Sequence, residues 1–273
     1  MKSITACFIV QNEVGIIEYS LTNPLKIFDK IIIIDGGSTD GTTEKIWEVA
    51  DKLGLRHKIS WYYNKFETLN DQRNLYLKYC DTDFIMYNDA DEIFTIQHLQ
   101  RIKHYIESYK LILVSSWHYY IDWYHYACNG HWETTHSMPR VFANDGHLKY
   151  KDWEPELGDH TLIVNGIYFQ EYWRNNMIHC QKNDIVCHHL GHALGPDHER
   201  NKIRWFMSYE HPELESTIGN EELNKRTSQS TYFDPRFWEH GQNADPVGIR
   251  KCEIPLPEIL KSHPLYNKRI IND

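Results

Sequence analysis

Residues 30–35, KIIIID, place four isoleucines in a row and end them on an aspartate beside two glycines. Isoleucine branches at Cβ, which stiffens its side chain and favours an extended backbone. A short run that is apolar on both faces and bounded by glycine reads as a strand buried on both sides, as happens where helices cover a parallel sheet. The neighbouring sequence supplies those helices. ITACFIV (4–10), KISWYY (58–63), DFIMYND (83–89) and LILVSSW (111–117) read as further strands. A helical stretch starts near Glu13, and TTEKIWEVADKLG (42–54), LNDQRNLYLKYC (69–80) and TIQHLQRIKHYIESY (95–109) follow as helices. In the second of these, Ile46, Val49, Ala50 and Leu53 fall at helical spacing, and Gly54 is a natural stop. Strand–helix alternation of this kind predicts an α/β fold with a mostly parallel sheet and ligands at the carboxyl ends of its strands.

After Trp117 the rhythm breaks. WHYYIDWYHYACNGHW (117–132) is aromatic without a period, and GIYFQEYW (166–173) reads as a strand or extended segment. Most of these aromatics belong to a core, with two or three left to shape an acceptor groove. Beyond a histidine-rich stretch the chain is polar, with short helical patterns such as EELNKR (221–226). No repeat or linker interrupts it, so the second half reads as an elaboration of the first.

Composition narrows the function classes. With 41% hydrophobic and 25% charged residues the chain has the make-up of a soluble globular protein. No apolar run approaches the roughly 20 residues of a spanning helix. MKSITACFIVQNE passes into polar residues without a cleavage site, so no signal peptide is expected. Six scattered cysteines without a CxxC pair fit free thiols and a cytoplasmic setting. The formal net charge of −9 opposes non-specific nucleic-acid binding, but not a nucleotide held through a divalent metal, which brings its own positive charge.

Two expected strands end in carboxylates on the same rim. In IIIIDGGSTDGT, Asp35 closes the strand, and the glycine-rich turn lets a ligand approach the backbone, where an aspartate can accept from a base or ribose. Turn chemistry alone, with Asp40 or Thr42 capping the next helix, explains the same letters. In FIMYNDADEIF, the strand delivers Asn88, Asp89, Asp91 and Glu92 to the rim. Crowded carboxylates repel unless a cation neutralises them, so Asp-x-Asp here suits a hard divalent ion carrying phosphate oxygens. A solvated acidic loop capping a helix is the plainer alternative.

Four stretches in order, FIVQNE (8–13), IIIIDGGSTDGT (31–42), DQRN (71–74) and FIMYNDADE (84–92), resemble the family 2 glycosyltransferases of the GT-A fold. The likeness is firm over residues 4–95 and looser to about 200. It implies that Val10, Asn12, Glu13 and Asn88 lie at the nucleotide sugar, that Asp35 holds the base or ribose, and that Arg73 faces the nucleotide or its phosphates. Asp89 and Asp91 would bind the metal, with Asp89 also at the donor. Gln11 stands where related sequences often carry lysine.

Further on, PRVF (139–142) resembles the family's Arg-x-Phe element, and YKDWEPELGD (150–159) falls where related enzymes place an acid near the acceptor. An inverting transfer needs a carboxylate to take the acceptor hydroxyl's proton, and Glu156, then Glu154, are the candidates beside the reading of a plain acidic loop.

CHHLGHALGPDHE (187–199) matches the zinc-protease pattern HExxHxxGxxH at His188, His192, Gly195 and His198, with His189 in place of the glutamate base. Imidazole cannot replace that carboxylate as base and would itself seek the metal. Family 2 enzymes carry a late His-x-Gly histidine that reaches the metal; the resemblance implies His189, with Gly191, as that ligand and His188 or His192 as substitutes. An imidazole favours Mn²⁺ over Mg²⁺.

The expectation is a metal-dependent, inverting glycosyltransferase that takes a nucleoside-diphosphate sugar, UDP-sugar by default, to a carbohydrate or glycoconjugate acceptor, with no nucleic-acid partner. Association with a membrane surface and oligomeric state stay open. The chain divides into a donor-binding half (1–115), an acceptor-binding and catalytic half of the same domain (116–200) and a partly helical C-terminal extension (201–273). The alternatives are a non-catalytic nucleotide- or sugar-binding relative of the same fold, and a zinc metalloprotein built on His188, His192 and His198.

Overall fold

The computed structural model describes residues 1–65, 67–120, 122–127, 137–151, 161–180, 184–194, 249–252 and 255–268. They divide between two compact units, residues 1–116 with 135–187 and residues 117–134 with 188–273.

The first unit opens with the expected alternation. In order come β1 (Ile4–Val10), α1 (Ile17–Ile27), β2 (Lys30–Asp35), α2 (Thr42–Leu53), β3 (Ile59–Tyr63), α3 (Leu69–Tyr79) and β4 (Phe84–Asp89). The two-residue β5 (Glu92–Ile93), α4 (Ile96–Tyr105) and β6 (Leu111–Tyr120) follow, and β6 carries the chain into the second unit at Trp117. There β7 (Asp122–Ala127) runs antiparallel to the end of β6. Back in the first unit lie β8 (Ser137–Ala143), β9 (Leu148–Tyr150), β10 (Leu162–Val164), β11 (Ile167–Tyr168), α5 (Phe169–Tyr172) and β12 (Met177–His179). The chain leaves again along β13 (Val186–His192), and β14 (Ile249–Lys251) pairs antiparallel with β7.

Parallel pairing orders the first strands β3-β2-β1-β4, and the antiparallel β8 joins β4 to β6. The mostly parallel sheet flanked by helices expected of the fold class is therefore present. Ile31, Ile33 and Ile34 of β2 are fully buried, as are Ile4, Ala6 and Phe8 of β1 and Ile85 and Met86 of β4. Strands covered on both faces explain why KIIIID shows no alternation. Helix ends follow local chemistry. Thr68 and Thr95 cap α3 and α4 by accepting from the N–H of Asp71 and His98, and Gly54, at φ +68°, closes α2 as the sequence predicts.

Residues 166–173 differ from the expected extended segment. Only Ile167–Tyr168 is strand, paired with β10, and Phe169–Tyr172 is a helical turn that buries Phe169 and the following Trp173. In the second unit Trp117, Tyr119 and Trp123 are buried, so these aromatics are core; Trp132 and residues 221–226 lie outside the described residues. Among the described residues no helix is long and apolar enough to cross a membrane.

Truncating the sheet's centre should be costly. Ile33→Ala, at a fully buried position of β2, is expected to lose about 2–5 kcal/mol in urea unfolding.

Candidate active site

Strand order places the site. From β1 the chain winds outward to β2 and β3, then returns to put β4 on the other side of β1. Where the winding reverses, the loops after β1 and β4 diverge and leave a crevice at the carboxyl ends. Register brings the acidic ends level: Val10 pairs with Asp35, and Ile9 with Asp89.

The loops after β1 and β2 are knitted together. Gly36 N–H donates to Val10 O at 2.9 Å, and Gln11 Nε2 to Gly36 O at 3.2 Å. Asn12 takes a left-handed φ of +59°, which asparagine tolerates, and its Oδ1 accepts from the Thr39 N–H at 2.8 Å. Its own N–H donates to Ser38 Oγ at 3.1 Å, and the Glu13 N–H donates to Thr42 Oγ1 at 2.7 Å. Asp40 completes the weave, accepting from Val14 N–H at 3.1 Å and from the Thr42 hydroxyl at 2.5 Å. Val10 is buried beneath, whereas Asn12 is exposed and Glu13 half-buried.

Asp35 is 1% exposed and organises the turn around itself. Its Oδ1 accepts from the N–H groups of Gly37 at 2.9 Å and Ser38 at 2.7 Å, and its Oδ2 from the Thr43 hydroxyl at 2.6 Å. Burial alone would raise its pKa, but the hydrogen bonds from Thr43, Ser38 and Gly37 outweigh burial and hold it below the usual carboxylate value. A carboxylate has about four acceptor positions, and the turn's own N–H groups and hydroxyls fill them, so Asp35 spends its bonding on the shape of the turn.

The turn after β4 is braced from within. Asn88 is buried, and its Nδ2 donates to the carbonyls of Asp89 at 2.9 Å and Glu92 at 3.0 Å. Its Oδ1 has no hydrogen-bond partner among the described residues. Glu92, fully buried, accepts from the Asp89 N–H at 3.2 Å through Oε2 and from Arg140 Nη2 through Oε1. Arg140 also donates to the Tyr87 hydroxyl and lies 4.5 Å from the centre of that ring. Asp89 is half-buried and Asp91 is 5% exposed. Burial pushes the Glu92 carboxyl up to about 7; Arg140 pulls against it while Asp89 and Asp91 push it further. Arg140 is held firmly charged, its burial outweighed by Glu92 first.

Arg73 lies buried on α3, 5.6 Å from the centre of the Tyr150 ring. Burial opposes its charge, but the field of Asp89, ahead of those of nearby tyrosines, raises its pKa. The first unit thus gathers Asp89, Asp91, Glu92, Arg73 and Arg140 at one end of β4. The sequence puts Glu92 at the rim and Arg140 in PRVF, but nothing in DADE or PRVF says that the two pair across 48 residues.

Among the described residues no group of three or more His, Cys, Asp or Glu side chains could hold a metal ion. Asp89 and Asp91 offer oxygen donors of the kind a hard divalent cation takes, and their field on Glu92 is an excess of negative charge that a cation would relieve. These residues fit such an ion in part, the rest of its shell being left to phosphate oxygens.

The histidines belong to the second unit. His188 and His189 lie on a strand, β13, so the helix on which a zinc protease mounts its first two histidines is not formed. His188 is buried with Nδ1 2.8 Å from the Tyr119 hydroxyl, and His189 Nδ1 lies 2.9 Å from Nδ1 of His118. The side chain of His192, and residues Glu154, Glu156 and His198, lie outside the described residues.

The family model of Glycosyl transferase family 2 matches residues 5–163, more than half of the 273. No curated protein matches the chain. Solved structures of S. aureus TarS 1–349, alone and in complex with UDP, are similar at a TM-score of 0.49 and 13% identity, over 84% of this chain and 72% of that one. The chain spans 44% of the longer TarS chain. Glucosyl-3-phosphoglycerate synthase from Mycobacterium tuberculosis, in complex with Mn²⁺, UDP and phosphoglyceric acid, is similar at a TM-score of 0.34 and 16% identity, over 42% of this chain and 43% of that one.

Two expectations follow from the hydrogen bonding. A group whose folded pKa is lowered stabilises the protein above its unfolded pKa of about 3.9 and loses that contribution as pH falls through the folded value. Asp35→Asn should therefore cost about 1–3 kcal/mol at neutral pH, and urea unfolding should show the gap to wild type narrowing as pH drops below about 4. For the buried ion pair, Arg140→Met should cost about 3–5 kcal/mol by leaving Glu92 uncompensated, and Glu92→Gln/Arg140→Met should cost less than that single change in the same measurement.

Proposed function

The chain belongs to glycosyl transferase family 2, and from that premise we propose that it moves a sugar from a nucleoside-diphosphate sugar, UDP-sugar by default, to an acceptor hydroxyl on a glycan, with inversion at the anomeric carbon. The observation that carries this reading is the level register of β2, β1 and β4. It sets Asp35 and the Asp89–Asp91 pair about 10 Å apart, two strand spacings, on one rim. That separation suits a ligand with a nucleoside at one end and a diphosphate at the other.

Asp89 and Asp91 are the side chains that would hold a divalent cation at the diphosphate. The resemblance alone adds His189 as third ligand, and with it a preference for Mn²⁺ over Mg²⁺. When bound, such an ion supplies neutralising charge to the departing nucleoside diphosphate. Arg73, kept cationic beside Asp89, adds to the positive field along that path. Asn12 and Glu13 border the nucleotide, over Val10, and Asp35, through the turn it organises, holds the base or ribose. Glu156, or Glu154, takes the proton of the acceptor hydroxyl as its oxygen attacks the anomeric carbon. Free thiols at Cys7, Cys80, Cys180, Cys187 and Cys252 are consistent with work in a reducing, cytoplasmic compartment.

Thermal unfolding with UDP, GDP, dTDP and CDP, each with and without Mn²⁺, tests the proposal. A ligand that binds only the folded state stabilises it by RT ln(1 + [L]/Kd), about 2.7 kcal/mol at a hundredfold excess over Kd. One nucleotide should raise the midpoint only with Mn²⁺, and Asp91→Ala should abolish the rise. A flat response to all four would remove the reading. Binding without transfer or hydrolysis of the matching sugar nucleotide would leave a non-catalytic relative of the fold.

A further inference from the structure

Tyr63 closes β3, the edge strand next to β2, with its backbone paired to Asp35. Its side chain is 62% exposed, more than any other large apolar side chain among the described residues except Met1. The backbone around it is firmly held. The N–H of Asn64 donates to Asp35 O at 3.0 Å, and Gln72 Nε2 donates to Asn64 O at 2.8 Å. On the other side, the ring of Tyr62 stacks on Tyr79 at 4.0 Å between centres and 7° between planes. Gly37, at φ +106°, lies beneath the ring: a Cβ there would stand 3.8 Å from Tyr63 Cε2. One ring edge therefore leans on the turn that Asp35 organises, and most of the rest faces solvent at the rim.

We propose that Tyr63 is the platform on which the nucleobase of the donor stacks. The inference rests on the nucleotide-sugar reading above and gives its base an address. The strand order β3-β2-β1-β4 sets the direction. With the diphosphate at the carboxylates after β4, the nucleoside runs back across β1 and β2, and the base arrives beside β3. An aromatic ring held by its backbone loses little freedom on stacking, and every base offers a π-face to it. Tyr63 thus provides affinity without choosing among bases; the choice is left to polar groups at the base edge.

Calorimetric titration in Mn²⁺ of wild type, Tyr63→Phe and Tyr63→Ala tests this, with the best-binding of the four nucleoside diphosphates and with inorganic pyrophosphate as probes. Tyr63→Ala should weaken the nucleoside diphosphate by about 10-fold or more and leave pyrophosphate unchanged, while Tyr63→Phe binds both as wild type does. Because the side chain is exposed, the unliganded unfolding midpoint should stay put in both variants. Unchanged nucleotide affinity in Tyr63→Ala, or equal weakening of both probes, overturns the stacking role and leaves the glycosyltransferase reading standing. A wild-type protein that binds none of the four nucleotides overturns both.

Discussion

Everything at the rim depends on β1 being hydrogen-bonded in parallel on both edges, to β2 and to β4. Parallel pairing fixes how far each strand reaches, and here it stops Val10, Asp35 and Asp89 within one residue of each other. A slip of one residue in either ladder would move a carboxylate by about 3.3 Å along the sheet and turn its strand's side chains to the opposite faces. The fully buried Ile33, Phe8 and Ile85 forbid that slip, because each would lose its place in a covered layer. Core packing is therefore what holds two acidic strand ends at a fixed separation, far from any contact between them.

Acids crowded at one end of a sheet must be compensated, and the first unit does this in two ways. Around Asp35 the compensation is local: backbone N–H groups and a hydroxyl supply partial positive charge, and the carboxylate stays ionised. After β4 it is long-range. Glu92 is paired with Arg140, 48 residues away, and Arg73 is held charged by the field of Asp89. The pair also ties the Asp89 amide to β8 through one carboxylate, so the same interaction that neutralises the turn sets its shape.

Legibility in the sequence followed the range of the interactions. The strands and helices up to β6 were readable because local propensity, hydrophobic period and stop residues agreed, as at Gly54, which closes α2, and Asp35, which ends β2. The aromatic stretch from Trp117 showed no period because a register shift between Tyr119 and Tyr120 interrupts the alternation of β6 and β7. The histidine stretch was ambiguous for a geometric reason. Spacing of four places two residues on one face of a helix, but it also places them on one face of a strand, and β13 is a strand. The Glu92–Arg140 pair was invisible, since nothing in DADE or PRVF states that the two segments meet. The acidic candidates for the base, Glu154 and Glu156, were placed by resemblance alone and lie outside the described residues.

Asp35 shows why a motif letter and a ligand contact are different things. A residue can stand at the right strand end and still direct most of its bonding capacity inward, because the turn that forms the site needs an anion at its centre. Replacing it would alter the site even if no ligand touched it. At the rim on either side of it stand the carboxylates of Asp89 and Asp91 and the exposed ring of Tyr63. Under the proposed function, a divalent cation on these carboxylates would meet negative charge at one end of the ligand, and the Tyr63 ring a flat face at the other. A nucleoside diphosphate has that shape, whichever sugar it brings.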